Sequence, residues 1–209
     1  MSLAILLISI TGISQVTMEY GLDTRFILTR GIDFYTEKVS WNKIDYSTFG
    51  MDYIDGIVEV SMGVNIPLYQ SRKESSICLT SSLLGGFGFI SNHADLVANA
   101  SLPVIVFYRL GAGSTKDSHS AVGFGVGLGA EANFSYLDLI LDEKGLNKVY
   151  ILPVVALELA FDPSRLQTKF KIQFKASLLT YSDQRHNHQF DVDYGPKINY
   201  FSLGLVFFK

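Results

Sequence analysis

From Lys169 to Leu178 the chain alternates, residue by residue, between long polar side chains (Lys169, Lys171, Gln173, Lys175) and apolar ones (Phe170, Ile172, Phe174, Ala176, Leu178). A period of two is the mark of an extended strand whose two faces meet opposite environments. Which environment each face meets depends on the other strands of the same sheet.

The period recurs along the chain and predicts eight strands, near 16–28, 55–69, 75–90, 101–111, 120–136, 148–162, 166–181 and 198–209. No amphipathic helix of ordinary length competes with them. In the second strand Val58, Val60, Met62, Val64 and Ile66 share one face, with Glu59, Ser61, Gly63 and Asn65 on the other. The fifth sets Val122, Phe124, Val126, Leu128 and Ala130 against Gly123, Gly125, Gly127, Gly129 and Glu131. The fourth is apolar on both faces until Tyr108 and Arg109, so its orientation stays open.

Connections alternate in length. Gln70–Glu74, Ala112–His119 and Pro163–Arg165 read as short turns, Arg30–Ile54, Leu137–Asn147 and Ser182–Lys197 as long loops, and Ser91–Ala100 as a connection of intermediate length. An even number of strands, with short turns at one end and long loops at the other, is the layout of a transmembrane barrel. Each strand also reaches the roughly 9–11 residues that a tilted span needs.

Glycines and Glu131 share one face of the fifth strand, so that face cannot be the bulky core of a soluble sandwich. The polar faces collect Glu19, Asp23, Glu59, Glu131 and Glu158 against Arg25, Lys169, Lys171 and Lys175. Opposite signs in comparable number predict a paired interior, and an eight-stranded barrel is just wide enough for side chains to fill. Closure also removes the sheet edges that hydrocarbon cannot hydrate. The fold expected is therefore all-β, an eight-stranded antiparallel up-and-down transmembrane β-barrel. Pro163 and Pro196 fall in connections and Pro67 near a strand end; Pro103 and Pro153 require either a missing ladder bond near the long-loop end or a bulge.

Composition agrees. The chain has 209 residues, 48% hydrophobic and 18% charged, and fits one barrel domain, expected over 15–209. Its net charge of −3 lacks the basic excess of a nucleic-acid binder, so no nucleic-acid partner is expected. Residues 1–14 read as a signal peptide: Leu3 to Ile13 is apolar and too short to span a bilayer as a helix, and Gly12 and Ser14 precede a plausible cleavage point, although no Lys or Arg precedes the apolar run. Cys78 is the single cysteine, which excludes an intrachain disulfide and a cysteine metal cluster.

The final strand, Tyr200 to Lys209, carries Ser202, Gly204 and Phe207 at the spacing of the terminal assembly signal of Gram-negative outer-membrane barrels, which it resembles; Lys209 stands where that signal ends in an aromatic. The chain as a whole, particularly Leu102-Pro103-Val104 through Gly111-Ala112-Gly113-Ser114 and the glycine-alternating strand, resembles the small outer-membrane β-barrel proteins of Bacteroidetes-type bacteria, with an eight-stranded architecture like that of OmpA and OmpX. The resemblance implies the cell outer membrane as location. It also implies outer-membrane lipid and the barrel-assembly machinery as partners. It identifies no extracellular partner.

Other constellations have plainer explanations. His186-x-His188 with Asp191-x-Asp193 lacks a tetrahedral or calcium-loop spacing and reads as a solvated loop, so neither metal nor cofactor is expected. Gly127-x-Gly129-x-x-Ala132 formally meets a dinucleotide pattern but precedes no helix. His119-Ser120 suggests a lipid-directed hydrolase, yet neighbours on a strand face opposite ways and the pair falls at a short turn. Phe34, Tyr35, Trp41, Tyr46, Phe49 and Tyr53 read as an interfacial girdle. The expected role is structural or surface-interacting and not enzymatic, with the charged interior as a plug. A small pore, a lipid-modifying enzyme and a soluble lipocalin-like binder are the alternatives.

Overall fold

The computed structural model describes residues 16–40, 43–71, 74–90, 96–115, 118–137, 146–163, 169–182, 185–187, 192–194 and 197–208. The expected signal peptide and Trp41 lie outside them. The strands are β1 (Thr17–Ser40), β2 (Lys43–Ser71), β3 (Ser75–Ile90), β4 (Leu96–Gly111), β5 (Val122–Leu137), β6 (Leu146–Phe161), β7 (Lys169–Ser177), β8 (Tyr181–Ser182), β9 (Arg185–Asn187), β10 (Val192–Tyr194) and β11 (Lys197–Phe208).

Strands β1 to β7 and β11 pair in chain order, each antiparallel to the next, and β11 pairs back with β1 to close an eight-stranded barrel. Glu19 lies opposite Phe208 and Arg30 opposite Lys197 along that seam. Strand β8 adds to the end of β11, and β9 with β10 forms a separate two-stranded ribbon in the last long connection.

The alternation resolves into an apolar outside and an inside that holds the charged side chains together with a buried apolar cluster. On β4, Leu102, Val104, Val106, Tyr108 and Leu110 are exposed while Ser101, Ile105, Phe107 and Arg109 are buried, which fixes the orientation that composition left open. The outward face of β5 runs from Phe124 to Phe134 through Val126 and Leu128, with an aromatic at each end. Elsewhere Phe26 stacks on Phe201 at 4.9 Å toward the long-loop end and Phe161 on Phe170 at 5.1 Å toward the turn end. Aromatic rims around an apolar band match the two interfaces of a bilayer.

Two expectations about connections are corrected. The segment Arg30–Ile54 is not a loop: β1 and β2 continue past the barrel as a ribbon paired from Ile32 with Met51 to Ser40 with Lys43, after an irregularity between Thr29 and Ile32. Residues such as Phe34, Tyr35, Thr36, Val39, Tyr46 and Thr48 favour extended backbone, so this segment prefers pairing to coil. The seventh strand ends at Ser177 and not near 181, and the Leu178 amide donates to the Pro153 carbonyl at 2.8 Å where the β6–β7 ladder stops.

The prolines follow from the same ladder. Pairing of β3 with β4 skips Pro103 and its neighbour Leu102 but resumes in the same register from Leu84 with Ser101, so the missing amide is accommodated without a bulge. The bulge on this side of the barrel lies between Pro67 and Tyr69 of β2.

At the turn end, Glu74 has φ of 61° and ties two connections together. Its carbonyl accepts the Gly111 amide at 2.9 Å, and its carboxylate accepts the His119 amide at 3.1 Å and the Ser120 hydroxyl. The Ser120 hydroxyl and then the His119 amide hold this carboxyl below the usual carboxylate range. A lowered folded value means that the contact stabilises the turn at and above the ordinary carboxylate range and is lost as pH falls through the folded value. Protection of the His119 amide, its exchange rate taken relative to the intrinsic rate at the same pH, is therefore expected to fall on acidification in the wild type. Glu74→Gln should flatten that dependence; a wild-type profile identical to that of the variant would contradict the assignment.

Candidate functional site

The interior carries two ion-pair groups stacked along the barrel axis. The one nearer the long-loop end is centred on Arg25. Its Nε donates to Glu59 Oε2 at 3.0 Å, Nη1 to Asn133 Oδ1 at 2.5 Å, and Nη2 to Ser101 Oγ at 2.9 Å and to Glu131 Oε1. The remaining acceptors are met as well: Asn99 Nδ2 donates to Glu59 Oε1 at 2.6 Å and the Tyr200 hydroxyl to Glu131 Oε2 at 2.6 Å. Arg25 also lies over the Tyr200 ring at 4.4 Å. Arg25, Glu59 and Glu131 are 0% exposed, and with their partners they connect β1, β2, β4, β5 and β11 across the lumen. Ile27, Ile57, Tyr150 and Ile198, all buried, form an apolar collar on the long-loop side.

Nearer the turn end, Arg109 makes a two-pronged pair with Glu158, Nε to Oε2 at 2.6 Å and Nη2 to Oε1 at 3.0 Å, the geometry in which guanidinium and carboxylate match best. Lys171 bridges Glu19 and Glu158, each at 2.8 Å, and Gln173 donates to Glu158 at 2.9 Å. Between the two groups Lys175 pairs with Asp23 at 3.2 Å. Burying charge is costly unless it is paired and hydrogen-bonded, and here almost every buried charge is both.

The residues singled out in the sequence thus fall into three settings. Arg25, Glu59 and Glu131 meet in the Arg25 group; Glu19, Glu158 and Lys171 meet around Arg109; Asp23 and Lys175 pair between them. Lys169 sits at the rim, only half-buried, and pairs with Asp162 at 2.6 Å, away from the glutamates. Arg109, Asn99, Asn133, Tyr200 and Asp162 are not among the residues singled out in the sequence, and Gln173 is placed there on the polar face of its strand without a partner. The one signal for Arg109 was its parity with Ser101 on β4.

Small residues make room for these groups. A side chain at Gly204 would meet the Asp23 carboxylate at 2.9 Å, its register partner across the β1–β11 seam. At Gly127 a Cβ would meet Phe107 Cε1 at 2.6 Å and Ile105 Cγ2 at 2.7 Å, so Phe107 lies flat against β5 inside the lumen. The Gly127-x-Gly129 pattern therefore serves packing. Of the assembly-signal residues, Ser202 and Gly204 point inward and Phe207 outward.

The other constellations do not gather. Ser120 donates to Glu74, not to His119. His186 and Asp193 are register partners on β9 and β10, whereas His188 and Asp191 lie outside the described residues. No group of three or more His, Cys, Asp or Glu side chains positioned to hold a metal occurs among the described residues.

A closed antiparallel barrel that buries its charges and exposes Val, Leu, Ile and Phe has the polarity of a soluble protein turned inside out. Only hydrocarbon around it makes that arrangement favourable, and closure leaves the eight-stranded sheet without an open edge. The chain is an integral membrane protein of the transmembrane β-barrel class.

Among solved structures it is similar to Neisserial surface protein A, with 9% identity and a TM-score of 0.42 over 90% of this chain and 95% of that one. It is also similar to Ail, the attachment invasion locus protein of Yersinia pestis, with 10% identity and a TM-score of 0.39 over 91% and 98%. The outer membrane protein OprG from Pseudomonas aeruginosa gives 10% identity and a TM-score of 0.39 over 91% and 95%. No protein-family model and no curated protein matches the chain.

Proposed function

We propose that the protein is a structural or surface-interacting barrel of a Gram-negative outer membrane whose interior is closed by its own side chains. The observation that carries this reading is the Arg25 group, fully buried and joined to five strands of the wall. A guanidinium with its carboxylates and amides engaged on every side leaves no file of water through that level. The β1–β2 ribbon and the β9–β10 ribbon, both beyond the long-loop end of the barrel, offer the surface for an external partner.

The same proposal includes an export signal in residues 1–14, recognition of Ser202, Gly204 and Phe207 by the barrel-assembly machinery, outer-membrane lipid around the apolar band, kinship with the Bacteroidetes-type small barrels, and no catalytic activity. Purified, refolded protein in a planar bilayer is expected to give no single-channel conductance. Steady channels from the wild type would overturn the closed-lumen reading in favour of a pore. Expression should likewise leave the mass spectrum of lipid A unchanged, and a new lipid species would favour the enzyme.

A further inference from the structure

The lumen is not filled evenly. At the turn end it holds a cavity of about 310 Å³ bounded by Glu19, Asn65, Arg109, Glu158 and Lys171, with the Gly111–Thr115 turn at its mouth. Deeper along the axis lies a second cavity of about 20 Å³, which shares Glu19 as a wall and reaches Asp23, Ser82, Gln173 and Lys175. Strand parity orders these levels without ambiguity: on β1, Glu19, Asp23, Arg25 and Ile27 climb from the large cavity through the small one to the Arg25 group and the collar. On β2, Asn65, Ser61, Glu59 and Ile57 climb in the same order.

Polar groups in the deeper cavity point to solvent. Asp23 is 3% exposed, and its Oδ1 has no hydrogen-bond partner while Oδ2 faces Lys175. A cavity needs only about 10–15 Å³ and a few polar partners to hold a water, and Asp23, Ser82 and Gln173 supply them. Above this level the charged side chains of the Arg25 cluster are partnered by one another and by Asn99, Ser101, Asn133 and Tyr200, although the buried Ser202 hydroxyl, opposite Arg25 across the seam, has no hydrogen-bond partner; the collar beyond is built of Ile27, Ile57, Tyr150 and Ile198.

We infer that the lumen is a half-channel: a water-filled chamber entered from the turn end, reaching Asp23 and Lys175, and divided from the outside by one partition made of the Arg25 group and its collar. Its solutes are water and small inorganic ions. This rests on the closed-lumen reading and adds where the closure lies. The ion pairs around Arg109 are more numerous, but they line the wall of an open vestibule and do not seal it.

The test compares three proteins, each checked for folding by its altered gel mobility before boiling. Wild type is expected to be silent in a planar bilayer, as is Arg109→Ala with Glu158→Ala. Arg25→Ala, Glu59→Ala, Glu131→Ala and Ile57→Ala combined, which removes the charged core of the partition and one residue of its collar without leaving one of its charges unpaired, is expected to conduct potassium chloride. A folded partition variant that stays silent beside a silent wild type overturns the half-channel and leaves the closed lumen standing. Channels from the wild type overturn the closed lumen itself, and channels from the Arg109 variant overturn the placement of the partition.

A second measurement does not depend on that variant folding. In a Cys78→Ser background, Ser82→Cys is expected to lose its free thiol to Ag⁺ in the folded barrel, whereas Val154→Cys, among the packed apolar side chains, keeps it. Full protection of Ser82→Cys overturns the proposal.

Discussion

Arg25→Ala is expected to lower the unfolding free energy of the barrel by about 3–5 kcal/mol, because it strips the cationic partner from two buried carboxylates, Glu59 and Glu131, and leaves them unpaired. Urea unfolding in lipid, followed by the heat-modifiable band, measures it. Lys169→Ala is the internal comparison: Lys169 and Asp162 are 24% and 20% exposed, so their pair is worth at most about 1 kcal/mol. Equal effects of the two substitutions would place Arg25 in a hydrated interior.

Gly127→Leu is the second large effect. The new side chain would occupy the space in which Phe107, 0% exposed, lies against β5, and overpacking of this kind costs about 1–3 kcal/mol or more. Phe107→Ala alone opens a cavity and costs about 3–5 kcal/mol. Joined in one chain, the two exchange volume across the lumen, and the pair should be markedly more stable than the sum of the single losses predicts. Simple additivity would mean that the Gly127 side of β5 does not touch Phe107.

Both predictions concern features that are only partly legible in the chain. Period two exposed the strands and the inward face of β2, β5 and β7 because those faces differ in polarity, as Glu59 differs from Val58 and Lys171 from Ile172. It failed on β4, where Ile105 and Phe107 face the lumen as apolar residues among apolar neighbours and hide the parity that puts Arg109 inside. Partner choice was hidden for another reason. Alternation gives the face of a residue but not its height on the axis, so Glu131 could be placed inside yet not beside Arg25 and Tyr200. Height depends on register between strands, which only the closed barrel fixes. The β1–β2 ribbon was read as a loop because, once past the bilayer, a strand no longer needs the apolar face that announces it.

The closure of β1 on β11 also has a kinetic meaning. Arg25 is on the first strand, yet its partners Asn133 and Glu131 lie 108 and 106 residues away, and the seam joins Glu19 to Phe208. For contacts so distant in sequence the entropy of loop closure must be met before the contact rewards it, which slows folding. Until the last strand arrives, the first has an open edge and an inward row of unpaired charges, neither of which hydrocarbon tolerates. Insertion and closure are thereby coupled into one event, with the terminal strand acting as the bolt that must be thrown before the first strand can remain in the membrane.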